Sequence, residues 1–229
     1  MASRIGFPET RWSLIGRLNL QPDEAAVVLE LYAGSITRYL RAKLPHEAEL
    51  EDIIQEVLLH LFAHPDLMAT AQPGTGSRFR YLLMTLAWNE ARNRLRERWR
   101  RQHHERGGVG SLAQLPEAGT SDTSSMDRAW AESLLEQAWA DVRGWASDGT
   151  LEAEIPTILH EYLVVGGNLR DLAARLSMPL ATCHRRLARG RTYLQKAIID
   201  RLRQSGELTA DEDAAAACAV LLDILKPQA

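Results

Sequence analysis

A chain of 229 residues, 45% of them hydrophobic and 25% charged, has the composition of a soluble globular protein with one large core or two small ones. That composition excludes disorder throughout, and no apolar run approaches the roughly 20 residues that a membrane-spanning helix needs. The formal net charge of -3 disfavours a nucleic-acid partner only if charge is spread evenly, and it is not.

Residues 88–106 hold seven Arg against three Glu, a net of +4, and residues 170–203 hold nine basic residues against two Asp, a net of +7. Together these segments carry +11, so the rest of the chain carries -14. Two basic patches on an acidic body are the pattern to explain. The opening residues lack the basic-then-apolar layout of a secretory signal, so the expected location is the cytoplasm, without membrane insertion. Cys183 and Cys218 are the only cysteines, and neither stands in a CxxC or in a Cys/His cluster with metal spacing, so no disulfide, metal or cofactor is expected.

Strand-type alternation is nearly absent and β-branched residues are sparse, so the expected fold is all-α. Pro22, Asp23 and Glu24 open a helix that runs to Lys43, with Gly34 as a weak point and Pro45 beyond its end. Glu49 to Phe62 forms a second helix with Leu50, Ile53, Ile54, Val57, Leu58 and Leu61 on one side and Glu49, Asp52, Gln55 and Glu56 on the other. Residues 63–77, with two Pro and two Gly, read as a loop. A long helix follows from Phe79 to about Gln102, apolar at first and basic in its second half.

Residues 107–125 are rich in Gly and Ser and too poor in apolar side chains to offset the entropy of ordering, so they mark a flexible linker between two small helical domains. The expected division is 1–106, linker 107–125, second domain 126–205 and tail 206–229. The second domain reads as helices from Met126 to Trp145 and from Pro156 to the Gly166-Gly167 stop, a short helix capped by Asn168, a turn at Ser177-Met178-Pro179, and a basic helix from Leu180 to Arg203. In the tail, Thr209 to Glu212 has the spacing of a capping box, which predicts a short helix from Asp211 to Leu225.

Residues 168–191 have the layout of a helix-turn-helix: a short helix with the small Ala173 at the crossing, a three-residue turn, and a second helix rich in Arg. Such a helix fits a major groove about 12 Å wide with its first residues at base edges. This makes Thr182, His184 and Arg185 candidate base readers, and Arg186, Arg189 and Arg191 candidate phosphate contacts. The helix from Tyr81 to Arg101 sets Tyr81, Trp88 and Trp99 beside Asn89, Asn93 and an Arg ladder. That combination suits single strands, through stacking on bases and charge along the backbone, although aromatics at this spacing also serve as core. The acidic side of the second helix has no basic residue at i+4. Asp52 and Glu56 stand i,i+4, but no metal-ligand set, nucleophile or Gly-rich phosphate loop accompanies them, so no enzymatic activity is expected.

Three segments in this order and spacing resemble a bacterial RNA polymerase sigma factor of the extracytoplasmic-function group. ELEDIIQEVLLHLF (49–62) is similar to region 2.2, RFRYLLMTLAWNEARNRLRERWRR (78–101) to regions 2.3 and 2.4, and DLAARLSMPLATCHRRLARGR (171–191) to region 4.2. The resemblance implies core RNA polymerase as partner, through its beta-prime clamp helices and beta flap, with Asp52, Gln55 and Glu56 on the clamp. It implies promoter DNA as the second partner. Arg80, Tyr81, Asn89, Arg92, Asn93 and Arg96 would then recognise and melt the minus-ten element, with the loop at 73–77 holding a flipped base. The helix from Leu180 would read the minus-thirty-five element, the linker would thread the polymerase channel, and an anti-sigma factor is a further partner that the resemblance admits.

The chain departs from that family at Trp88, where Arg is common, at Asn93, where Asp is frequent, and at Cys183-His184-Arg185, which replaces Val-Lys-Ser, so no promoter sequence carries over from relatives. The head at 7–16 and the tail lie outside the common core. The alternative reading is a stand-alone helix-turn-helix regulator that acts without polymerase.

Overall fold

The computed structural model describes residues 22–69, 79–106, 123–205 and 214–225. Among these residues every regular element is a helix, as the sparse β-branched composition predicts. In the first half α1 (Pro22–Lys43), α2 (Leu50–Ala63) and α4 (Phe79–Arg106) pack on one another. Each buries a stripe at three-and-four spacing: Leu29, Tyr32, Ile36 and Leu40 on α1, Ile53, Ile54, Val57 and Leu61 on α2, and Phe79, Leu83, Met84, Ala87 and Ala91 on α4. One turn of helix, α3 (Asp66–Ala69), lies in the stretch expected to be a loop, where it follows Pro65 and buries Met68 completely.

The second half holds α5 (Thr123–Ser147), α6 (Ile155–Leu163), α7 (Leu169–Arg175), α8 (Leu180–Gln204) and α9 (Ala214–Leu225). The first of these begins three residues before the expected linker boundary, at Thr123-Ser124-Ser125. Residues 107–122 of the expected linker, the head, the loop at 73–77 and the tail capping box lie outside the described residues. Asn168 caps α7, its side chain accepting the Arg170 N–H at 2.8 Å. The α7–α8 turn closes through Ser177 N–H and Met178 N–H, which donate to the carbonyls of Ala174 and Ala173. Ser177 sits there at φ 51, a left-handed conformation that the turn imposes on a non-glycine residue.

Two glycines set the closest helix approaches. A Cβ at Gly190 of α8 would stand 2.7 Å from Ile155 Cγ2 and 2.9 Å from Leu159 Cδ1, so α8 crosses α6 at a point where no side chain fits. A Cβ at Gly34 would stand 2.5 Å from Ser133 Oγ, so the glycine that reads as a weak point in sequence lets α1 approach α5. Through this approach the two halves share one continuous core. Tyr32 and Ile36 of α1, Trp130 and Leu134 of α5, and Leu194 and Ile198 of α8 belong to the same buried cluster. Overpacking at the α6–α8 crossing, Gly190→Val, should lower stability by about 1–3 kcal/mol, read as a reduced urea midpoint with unchanged slope.

Candidate functional site

The arginines of α4 divide between two faces of the helix. Arg98 pairs with Glu49 and with Glu56 of α2, the latter at 2.8 Å, and Arg94 pairs with Glu90 at 2.7 Å and lies 3.7 Å from Glu56. These side chains fasten α4 to the α2 end of the bundle. Arg92, Arg96 and Arg100, each four residues from the last, have no ion pair among the described residues and share their stripe with the exposed Asn89 and Asn93. Four of the six residues expected at a minus-ten element, Asn89, Arg92, Asn93 and Arg96, therefore stand together on one stripe, Asn89 and Asn93 exposed, Arg96 half-buried and Arg92 half-buried with its Nε covered.

The acidic side of α2 is less free than its own sequence suggests. Glu49 and Glu56 are engaged by Arg98, while Glu51 accepts both Nε and Nη2 of Arg41 at 3.0 and 2.9 Å. That hydrogen bonding draws the Glu51 carboxyl below its ordinary value. Reasoning at i+4 cannot see partners that arrive from α1 and α4. Asp52 and Gln55 remain exposed, and they line a shallow groove with Arg41, Leu58, Leu59 and Phe62. Leu59 is 59% exposed and Phe62 38%. Neither was singled out in the sequence, although Leu59 falls outside the buried stripe of Ile53, Ile54, Val57 and Leu61. The groove therefore sets the exposed Asp52 and Gln55 beside two exposed apolar side chains.

The other two expected minus-ten residues lie elsewhere. Arg80 is completely buried, its Nε donating to Asp127 Oδ1 of α5 at 2.7 Å and its Nη2 lying 2.6 Å from the same oxygen. Its guanidinium lies over the Trp130 ring at 4.5 Å and the Tyr81 ring at 5.2 Å. The Tyr81 hydroxyl donates to the Asp127 carboxylate at 2.8 and 3.0 Å. Trp88 and Trp99 are half-buried, Trp88 packed against the core.

In the second half, α8 presents His184 and Arg185 to solvent, with Thr182 partly covered and Cys183 buried beneath them. Burial pushes the Cys183 thiol up. Arg186 pairs with Glu154 at 3.1 Å, Arg189 with Glu152 at 3.3 Å and the Thr150 carbonyl at 3.4 Å, and Arg191 lies over the Tyr162 ring at 5.0 Å. The arginines expected to hold phosphates thus lean on the α6 end of the domain, and the expected base readers His184 and Arg185 are the open pair. Among the described residues no group of His, Cys, Asp and Glu is arranged to hold a metal ion, and no helix is long and apolar enough to cross a membrane.

Residues 28–101, from the middle of α1 to the Arg ladder of α4, match the family model Sigma-70 region 2. The first half is therefore a module that binds core RNA polymerase and takes part in promoter melting. Residues 28–101 thus carry the region 2 found in sigma-70 family sigma factors, which are non-enzymatic proteins of transcription initiation. No curated protein matches it.

The division of the arginines has a measurable consequence. Arg98→Ala removes the partner of Glu49 and the nearer of the two partners of Glu56 and should cost roughly 1 kcal/mol of stability at low salt, whereas Arg96→Ala should stay within about 0.5 kcal/mol of the parent. Urea titrations of the two variants check the difference.

Proposed function

We propose that this chain is an extracytoplasmic-function sigma factor that docks on core RNA polymerase and directs it to specific promoters. The observation that carries the reading is the juxtaposition within the region 2 match. An acidic and apolar groove at Asp52, Gln55, Leu59 and Phe62 lies on α2, while an unpaired cationic stripe at Arg92, Arg96 and Arg100 runs along α4. The groove takes the beta-prime clamp helices and the stripe takes the minus-ten element, with Asn89 and Asn93 contributing hydrogen bonds to bases.

Glu56 acts on the clamp indirectly, by holding Arg98 and so the angle between α2 and α4. The division into 1–106, 107–125, 126–205 and 206–229 assigns the minus-thirty-five element to the second domain. There α7 and α8 form the helix-turn-helix, His184 and Arg185 read base edges with Thr182 beside them, and Arg186, Arg189 and Arg191 exchange their internal partners for phosphates. The beta flap falls to the same domain, where Leu163, Val164 and Val165 stand exposed beside α7. An anti-sigma factor would act by covering one of these surfaces in the cytoplasm.

Reconstitution with purified core polymerase tests the reading. Asp52 has no ion pair among the described residues, so Asp52→Lys removes no fold contact and should weaken core binding at least about tenfold by placing like charge at the clamp. A stand-alone regulator would bind DNA without polymerase and be unmoved by that change. Arg96→Ala should lower the salt dependence of promoter binding by about one phosphate's worth of counterion release, read as the slope of log affinity against log salt.

A further inference from the structure

Two rows of side chains run side by side along α4. Asn89, Asn93 and Glu97 follow one another at four-residue spacing, and Arg92, Arg96 and Arg100 do the same in the neighbouring row. Asn89 and Asn93 are exposed, and neither amide has a hydrogen-bond partner among the described residues. Glu97 ends its row 3.9 Å from Arg94 and 4.0 Å from Arg101, so its carboxylate is held by cations of its own helix. In the other row Arg100 is exposed, Arg96 half-buried, and Arg92 half-buried with a covered Nε that has no hydrogen-bond partner. The two amides therefore keep their hydrogen-bonding groups unspent at the surface, with cations alongside.

Each row advances about 6 Å per step, four residues at 1.5 Å each. Two base steps along one DNA strand advance about 6.8 Å. The cation row thus keeps pace with alternate phosphates and the amide row with alternate bases. Over one step the mismatch is about 0.8 Å, within the play of an Asn or Arg side chain. The amide also selects the base. Its carbonyl accepts while its NH2 donates, and the base edge that offers both an acceptor and a donor in the major groove is adenine's, through N7 and N6. Guanine presents two acceptors there, cytosine a donor, and thymine an acceptor beside a methyl group, so each leaves half of the amide unmatched.

We infer that Asn89 and Asn93 are specificity-determining residues of α4, reading two adenines of one strand that are separated by a single base pair. The arginine row holds the helix to phosphates at any sequence, and the amide row decides at which sequence it stays. This rests on the reading of α4 as the minus-ten helix and adds to it the identity and spacing of two bases.

The test combines the full-length chain, core polymerase and a pool of templates randomised through the minus-ten region, with the transcribed templates sequenced. The parent should enrich adenine at two positions separated by one base pair, each by at least about fivefold over the other bases. A carboxylate in place of the amide offers acceptors alone, which match the N4 amino group of cytosine. Asn93→Asp should therefore move the preference from adenine to cytosine at one of the two positions, and Asn89→Asp at the other, each leaving the second position unchanged. Asn89→Ala and Asn93→Ala should erase those preferences without altering the salt slope of promoter binding, because no phosphate contact is lost.

A parent with no adenine pair, adenines at another spacing, or an adenine preference that survives both aspartate variants overturns the inference. Arg96→Ala separates that failure from failure of the minus-ten reading. If it still lowers the salt slope on every template, the reading stands and only the base contacts fall. If it changes neither binding nor slope, or if the parent fails to bind core or transcribe, the reading falls and the inference with it.

Discussion

α5 must bury more than half of its circumference, and the arrangement of the other helices follows from that. Met126, Ala129, Trp130, Ala131, Ser133, Leu134, Ala138 and Val142 are all buried, a set too wide for any single neighbour to cover. Ser133 is met by α1, Trp130 by Arg80 of α4, and Asp141 by Arg201 of α8 at 2.5 and 2.8 Å. Gln137 bridges the two sides, touching the Leu31 carbonyl and Arg201. A helix that belongs to the second half by its place in the chain thereby completes the core of the first. The tail helix α9 packs on α5 and α8 and buries Ala217 and Leu221 there.

Charge in this molecule does two jobs, and only geometry separates them. Local sums of +4 around α4 and +7 around α7 and α8 overstate what is available to a polyanion. Arg94 and Arg98 are neutralised by Glu49, Glu56 and Glu90, and Arg186 and Arg189 by Glu154 and Glu152. The four-residue repeat of Arg92, Arg96 and Arg100 keeps these three on a stripe away from the acidic helix. The same partition leaves Asp52 as the unpaired carboxylate of the acidic face of α2 among the described residues, with Gln55, Leu59 and Phe62 exposed beside it.

The sequence by itself determined the helical class, the extent of most helices and the family resemblance, because these depend on local quantities. Period-3.6 burial on α1, α2 and α4, Asn168 as a cap, the Gly166-Gly167 stop and the three-residue turn at Ser177 act within a few residues of themselves. The candidate site was legible as far as its residues read as surfaces: Asn89, Arg92, Asn93, Arg96, Asp52, Gln55, His184 and Arg185 stand exposed or on an open stripe. Only the tertiary structure decided which charges are spent internally, because the partners of Glu56, Arg98, Arg186 and Arg189 lie on other helices, beyond any local spacing. It also decided the fate of Arg80 and Tyr81. Asp127 lies 47 residues from Arg80 along the chain, and nothing in the sequence of either helix announces that the other will cover it. Packing α5 into the seam opened by Gly34 turned two residues with the composition of a DNA contact into the centre of an interface.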